Sequence, residues 1–134
     1  MAFDWVRGDK IRKTVILDSS AILMFFEFSL NWEKELARLV GAYHLLVPTA
    51  VINELQILAK REKGQKKVAA ALKLITKYQT ISEDADSADE ALLKIAKKSQ
   101  GIVVTNDKDL RERLKNHRIP VIFLRGKKKL VLDE

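Results

Sequence analysis

Short apolar runs alternate along the chain with longer stretches whose apolar residues recur every three or four positions. Residues 14–17, Thr-Val-Ile-Leu, form a compact β-branched run that stops at Asp18-Ser19-Ser20. This is the pattern of a buried strand followed by helix-start residues. Helices are predicted over residues 21–28 and 32–40, then a second strand over 44–47, closed by Pro48. Thr49 is placed to cap a helix running to about Glu62. Gly64 breaks that helix, and another covers residues 65–77. A short strand at 79–81, a helix at 86–99 and a strand at 102–105 follow. A helix at 107–116 and a last strand at 120–124 complete the pattern. Residues 125–134 read as a basic tail containing one apolar stretch, Leu130-Val131-Leu132.

Strands of this length and apolarity, separated by helices, indicate a parallel sheet covered on both faces. With 134 residues, no internal repeat and no low-complexity linker, the expectation is one domain over 1–134. Its class is α/β, a three-layer α/β/α sandwich around a central, mainly parallel sheet. Sites in such sheets lie at the carboxyl ends of the strands.

Four acids belong to that edge. Asp18 follows the first strand, Glu54 lies near the start of the helix after the second, Asp89 near the start of the helix before residue 102, and Asp107 just after the strand that begins there. Glu54 falls among Val51, Leu55, Leu58 and Ala59, so helical phase turns it inward. Asp89 with Leu92 and Ala96, and Asp107 with Leu110 and Leu114, begin similar rows. Taken singly, each acid reads more readily as a helix cap or a solvated first-turn charge. Together they repel and lose solvation, a cost that a bound divalent cation relieves. An all-oxygen donor set in a chain without cysteine suits Mg²⁺ or Mn²⁺.

Charge changes the picture further. Lys and Arg number 25 against 18 Asp and Glu, a net charge of +7 that favours an anionic partner. Lys60 and Arg61 head a cluster around Gly64. Lys108 and Arg111 flank Asp107, and Arg125 and Lys127 follow the last strand. Each cluster serves either as a solvated face or as contacts to the phosphates of an anionic partner. The absence of cysteine excludes disulfides, thiolate nucleophiles and Cys-ligated zinc. The longest apolar run, residues 21–26, is far too short for a membrane span, and a cytoplasmic location without membrane contact is expected. His44 and His117 lack a paired nucleophile and read as structural or solvated. Trp5, Trp32, Phe25, Phe26 and Phe28 read as core or as a homodimer interface.

The motifs in order resemble those of PIN-domain nucleases. Val15-Ile16-Leu17-Asp18-Ser19-Ser20 resembles their first motif, and Val47-Pro48-Thr49-Ala50-Val51-Ile52-Asn53-Glu54-Leu55 their second. Ala88-Asp89-Glu90-Ala91-Leu92 resembles the third, and Val103-Val104-Thr105-Asn106-Asp107-Lys108-Asp109-Leu110 the fourth. The resemblance implies divalent-metal-dependent hydrolysis of RNA phosphodiesters, with Asp18, Glu54, Asp89 and Asp107 as the acidic metal site. Asp86 and Asp109 are further candidate acids, and Ser20 and Thr105 match supporting polar positions. The ending from Phe123 is most similar to small archaeal PIN proteins related to rRNA-processing enzymes, which implies a ribosome-assembly partner. A VapC-type toxin with an antitoxin partner and a non-catalytic RNA- or protein-binding member are the alternatives. A haloacid-dehalogenase-type phosphatase needs an acid where Ser20 stands, a receiver domain needs paired acids at the first strand, and no Gly-rich phosphate loop is present.

Overall fold

Lys13–Leu17 forms β1, buried at every residue after Lys13. In chain order follow α1 (Ser19–Glu27), α2 (Trp32–Val40), β2 (Tyr43–Pro48), α3 (Thr49–Ala59), α4 (Gln65–Ile75) and β3 (Gln79–Ile81). The second half comprises α5 (Ala88–Ser99), β4 (Ile102–Val104), α6 (Lys108–Asn116), β5 (Val121–Arg125) and β6 (Lys129–Asp133). The computed structural model describes residues 12–28, 31–61 and 65–134, so Trp5, Glu62 and the expected break at Gly64 lie outside the described residues.

The strands make one sheet in the order β3-β2-β1-β4-β5-β6. All neighbours are parallel except β5 and β6. Alternation along β1 sends Val15 and Leu17 to one face and Ile16 to the other. The first face is covered by α1, α2, α3 and α4, through residues such as Ile22, Leu36, Leu55 and Ala71. The second is covered by α5 and α6, through Leu92, Ile95, Leu110 and Leu114. The result is the expected three-layer α/β/α sandwich, with unequal outer layers. No helix among the described residues is long and apolar enough to cross a membrane.

Phe25 is buried and stacks on Trp32 with ring centroids 4.5 Å apart. Phe28 is half-buried against the same core, while Phe26 is exposed, so the three phenylalanines do point apart.

The basic tail expected at residues 125–134 is instead a hairpin. Gly126 and Lys127 both have positive φ, the mirror-image backbone whose twist suits a hairpin turn. Arg125 then pairs with Lys129 and Leu124 with Leu130. Leu130 is fully buried, and two side chains of α2 grip its backbone. Its N–H donates to Glu35 Oε1 at 3.0 Å, and its carbonyl accepts from Arg38 Nη2 at 2.9 Å. Arg38, and after it the Leu130 N–H, pull the Glu35 carboxyl down to about 2.

Gly101 shows how tightly β1 and the start of β4 approach. A Cβ there meets Ser99 Oγ at 2.8 Å, Ile16 Cδ1 at 3.0 Å and the Thr14 carbonyl at 3.1 Å. The backbone carbonyl has nowhere to move. Gly101→Ala is therefore expected to destabilise the fold by about 1–3 kcal/mol. Urea unfolding checks this, and an unchanged midpoint contradicts it.

Candidate active site

Three helices begin beside one another at the carboxyl edge of the sheet. Asp18 leaves β1 with its N–H still donating to Val104 O of β4, and then caps α1. Its Oδ1 accepts from Ala21 N at 2.8 Å. The Ser20 hydroxyl reaches both carboxylate oxygens, at 2.8 and 3.0 Å, and the fully buried Thr105 hydroxyl donates to Oδ2. Asp18 is only 5% exposed. Burial pushes its carboxyl up to about 6, against the hydrogen bonds from Thr105, Ala21 and Ser20, and the nearby Asp107 charge adds to the rise.

Asp107 caps α6, with Oδ1 accepting from Asp109 N at 3.0 Å and Leu110 N at 3.1 Å. Its own N–H donates to Thr105 Oγ1 at 3.1 Å, so one buried hydroxyl bridges the two acids. Asn106 locks the intervening loop. Its N–H donates to Ser20 Oγ at 3.0 Å, and its Oδ1 accepts from Leu124 N of β5 at 3.0 Å. Asp89 stands in the first turn of α5, half-buried, behind the Ser87 cap. Burial raises its carboxyl, Asp107 and then Glu54 and Glu90 add to that, and Arg113 opposes it. Arg113 also pairs with Glu90, tying α6 to α5.

Two expectations need correction. Glu54 does not face inward: Val51 and Leu55 occupy the buried side of α3, and Glu54, about 100° round from Leu55, is exposed. It accepts a hydrogen bond from Ser19 Oγ, which fixes it to the first turn of α1. Nor do the acids form one tight cluster. Among the described residues no three acidic or histidine side chains are close enough to hold an ion together. Asp18 is the buried acid, while Asp107 is exposed and Asp89 half-buried, because each of the latter sits at a helix start that opens to solvent.

Asp86 is exposed and precedes the helix, which begins at Ala88 rather than Asp86 because Ser87 takes the cap. Asp109 is exposed in the first turn of α6 and contributes its backbone N–H to Asp107. Thr49 is the first helical residue of α3, not its cap, and bonds Ser82 Oγ across 3.3 Å. Lys108, Arg125 and Lys127 are exposed, and Arg111 is half-buried with its guanidinium 4.0 Å from the Phe123 ring centre. Lys60 and Arg61 lie exposed past the end of α3, about 9 Å or more along its axis from Glu54. His44 Nε2 lies 2.7 Å from Thr14 Oγ1, and His117 is exposed at the end of α6. Sequence reasoning missed Ser19 and Asn106 as positioning groups. Their signal lay in the tripeptides Asp18-Ser19-Ser20 and Thr105-Asn106-Asp107, of which only the flanking acids, Ser20 and Thr105 were singled out.

Residues 15–127 match the family model described as PIN like domain. The chain belongs to this family. It is 32% identical over 120 residues to Ribonuclease VapC4 of Methanocaldococcus jannaschii, covering 85% of this chain and 92% of that protein. It is 30% identical over 135 residues to Ribonuclease VapC9 of Archaeoglobus fulgidus, covering 99% and 98%. In fold it is similar to the PIN domain endonuclease Utp24, with a TM-score of 0.75 at 19% identity over 90% of each chain. It is also similar to a domain of a functionally unknown protein from Methanocaldococcus jannaschii, with a TM-score of 0.56 at 22% identity, covering 90% of this chain and 99% of that one. The PIN-like match spans every candidate acid, from Asp18 to Asp107.

Proposed function

We propose that this PIN-like protein is a divalent-metal-dependent endoribonuclease that hydrolyses RNA phosphodiester bonds. The observation that carries the reading is the bridged pair of Asp18 and Asp107. A buried carboxylate raised to about 6, with the Asp107 charge nearby and the Asp107 backbone tied to it through the Thr105 hydroxyl, is costly without a compensating cation.

The donor set fits a hard ion. Mg²⁺ is usually held by one or two carboxylates, with waters and substrate phosphates completing its shell, so a cluster of three acids is not required. Asp18 and Asp107 would hold it, with Glu54 and Asp89 at the rim of the same edge. When bound, such an ion neutralises charge developing on phosphoryl oxygens and lowers the pKa of an attacking water.

The protein's own groups set the geometry. Ser20 and Thr105 fix the rotamer of Asp18. The α6 N-terminus fixes one oxygen of Asp107, and Asp107 Oδ2 makes no hydrogen bond among the described residues. Ser19 holds Glu54 beside the first turn of α1. The exposed Lys108 and Arg125 would bind phosphates electrostatically.

The VapC names of both curated relatives favour, as a second reading, a toxin ribonuclease with an antitoxin partner. A role in rRNA processing with a ribosome-assembly partner, homodimer formation and a cytoplasmic location are proposals alongside it. The test incubates single-stranded RNA with purified protein and Mg²⁺ or Mn²⁺, beside Asp107→Asn and a chelator-treated sample. Cleavage by the wild type alone is expected. Equal cleavage by Asp107→Asn sinks the site. Growth arrest on expression, relieved by a neighbouring small gene, separates toxin from processing enzyme.

A further inference from the structure

Arg113 of α6 has Asp109, Asp89 and Glu90 to choose from, and it takes Glu90. Asp109 lies one turn back on the same helix, at the spacing that favours an ion pair. Asp89 and Glu90 are neighbours in the first turn of α5. Among the described residues Arg113 forms an ion pair with Glu90 alone, and Asp89 takes neither an ion pair nor a hydrogen bond.

Stability does not explain the choice. The two side chains are 42% and 40% exposed, and pairs in such surroundings add little to folding. Local helix chemistry does not explain it either. Ser87-Ala88-Asp89-Glu90 has the spacing of a capping box, in which the last carboxylate turns back to the first N–H. Only half of the box is made. Ser87 Oγ accepts from Glu90 N–H at 3.2 Å, but the Glu90 carboxylate turns across to α6 and accepts from Arg113 Nη2.

Position gives the pair its meaning. Leu110 and Leu114 fill the buried side of α6, and Arg113, about 100° round from Leu114, stands on the flank that meets α5. Its charge reaches Asp89. Burial and then Asp107 raise that carboxyl, and the opposing charge of Arg113 comes next, ahead of Glu54 and Glu90. A guanidinium carries five donors on a fork that matches a carboxylate. Without Glu90 it would close on Asp89, because a pair with that half-buried acid is less screened than one with the exposed Asp109. Asp89 would then be neutralised by a side chain instead of facing the other acids unpaired.

We propose that Glu90 is a positioning residue that holds Arg113 off Asp89 and so keeps Asp89 open to the divalent ion. The inference rests on the metal-dependent reading, in which Asp89 borders the ion site. The first readout is Mn²⁺ binding to the RNA-free protein, followed by the spin resonance of the free ion at about 0.15 M salt. Glu90→Gln keeps the volume and the capping spacing but loses the charge, and is expected to weaken binding about fivefold. Arg113→Gln alone is expected to change binding less than about twofold, and added to Glu90→Gln it is expected to restore wild-type affinity. A merely structural role for the pair predicts no recovery, since the double variant lacks the pair altogether. In an Asp89→Asn background Glu90→Gln is expected to have no effect. Unchanged affinity in Glu90→Gln overturns the proposal. So does a plain charge effect, in which Arg113→Gln alone tightens binding by the factor it restores in the double variant.

The second readout needs no metal. The NMR signals of the Arg113 guanidinium are expected to stay restrained in Glu90→Gln and to be released when Asp89→Asn is added. Release in Glu90→Gln alone overturns the proposal. A wild type that binds no Mn²⁺ overturns the metal reading instead, and the guanidinium signals keep the two failures apart.

Discussion

Asp18→Asn is expected to abolish RNA cleavage and, at the same time, to stabilise the metal-free protein. The loss of activity should exceed about a hundredfold, because groups that merely support a metal ligand already cost 10–100-fold. The gain in stability follows from burial. Folding raises the Asp18 carboxyl from 3.8 to about 6, so at neutral pH the native state carries a desolvated charge that the unfolded chain carries in water. Between those values the native state binds more protons than the unfolded one, and stability falls as pH rises through that window. Above it the penalty is complete, up to about 3 kcal/mol. Asparagine removes the charge and can still accept from Ala21 N–H, while the Ser20 and Thr105 hydroxyls turn to accept from its amide. Urea titrations in chelator at several pH values should show the variant more stable above pH 6, with the difference gone below about 4. A variant less stable than wild type at pH 7.5 contradicts this account of the site.

The second large effect concerns a residue that touches no substrate. Thr105→Val keeps shape but deletes the hydroxyl that donates to Asp18 and accepts from Asp107 N–H. Thr105 is the strongest influence lowering the Asp18 carboxyl, so its loss moves that group further up. Activity should fall about 10–100-fold, and its acid limb should shift to higher pH. Raising the pH should then recover part of the activity of Thr105→Val and none in Asp18→Asn. A uniform loss at all pH values would show that Thr105 acts only through packing.

The sheet and its acid-bearing edge were legible because they rest on local patterns. Thr14-Val15-Ile16-Leu17 is too apolar and β-branched for anything but a covered strand, and the acid that follows it marks the strand's end. Glu54 was misplaced because the fully buried stripe of α3 is narrow: Val51 and Leu55 fill it, and Glu54, about 100° round from Leu55, falls outside. β6 escaped notice for a different reason. Leu130-Val131-Leu132 becomes a strand only by pairing with β5 and by the grip of Glu35 and Arg38, contacts 95 and 92 residues away in sequence. Asn106 and Ser19 carry no periodic signal at all. Their roles exist only once the loops that hold them are brought together.

That grip on β6 has a consequence for how copies of the chain meet. A border strand normally offers a row of free N–H and C=O groups, an invitation to strand addition and fibril growth. Here the start of the border is spoken for, since the N–H and C=O of Leu130, the second residue of β6, are engaged by side chains of α2. The opposite border, β3, is three residues long. A sheet with one partly clasped margin and one stunted margin offers few backbone groups for strand addition by a neighbouring molecule.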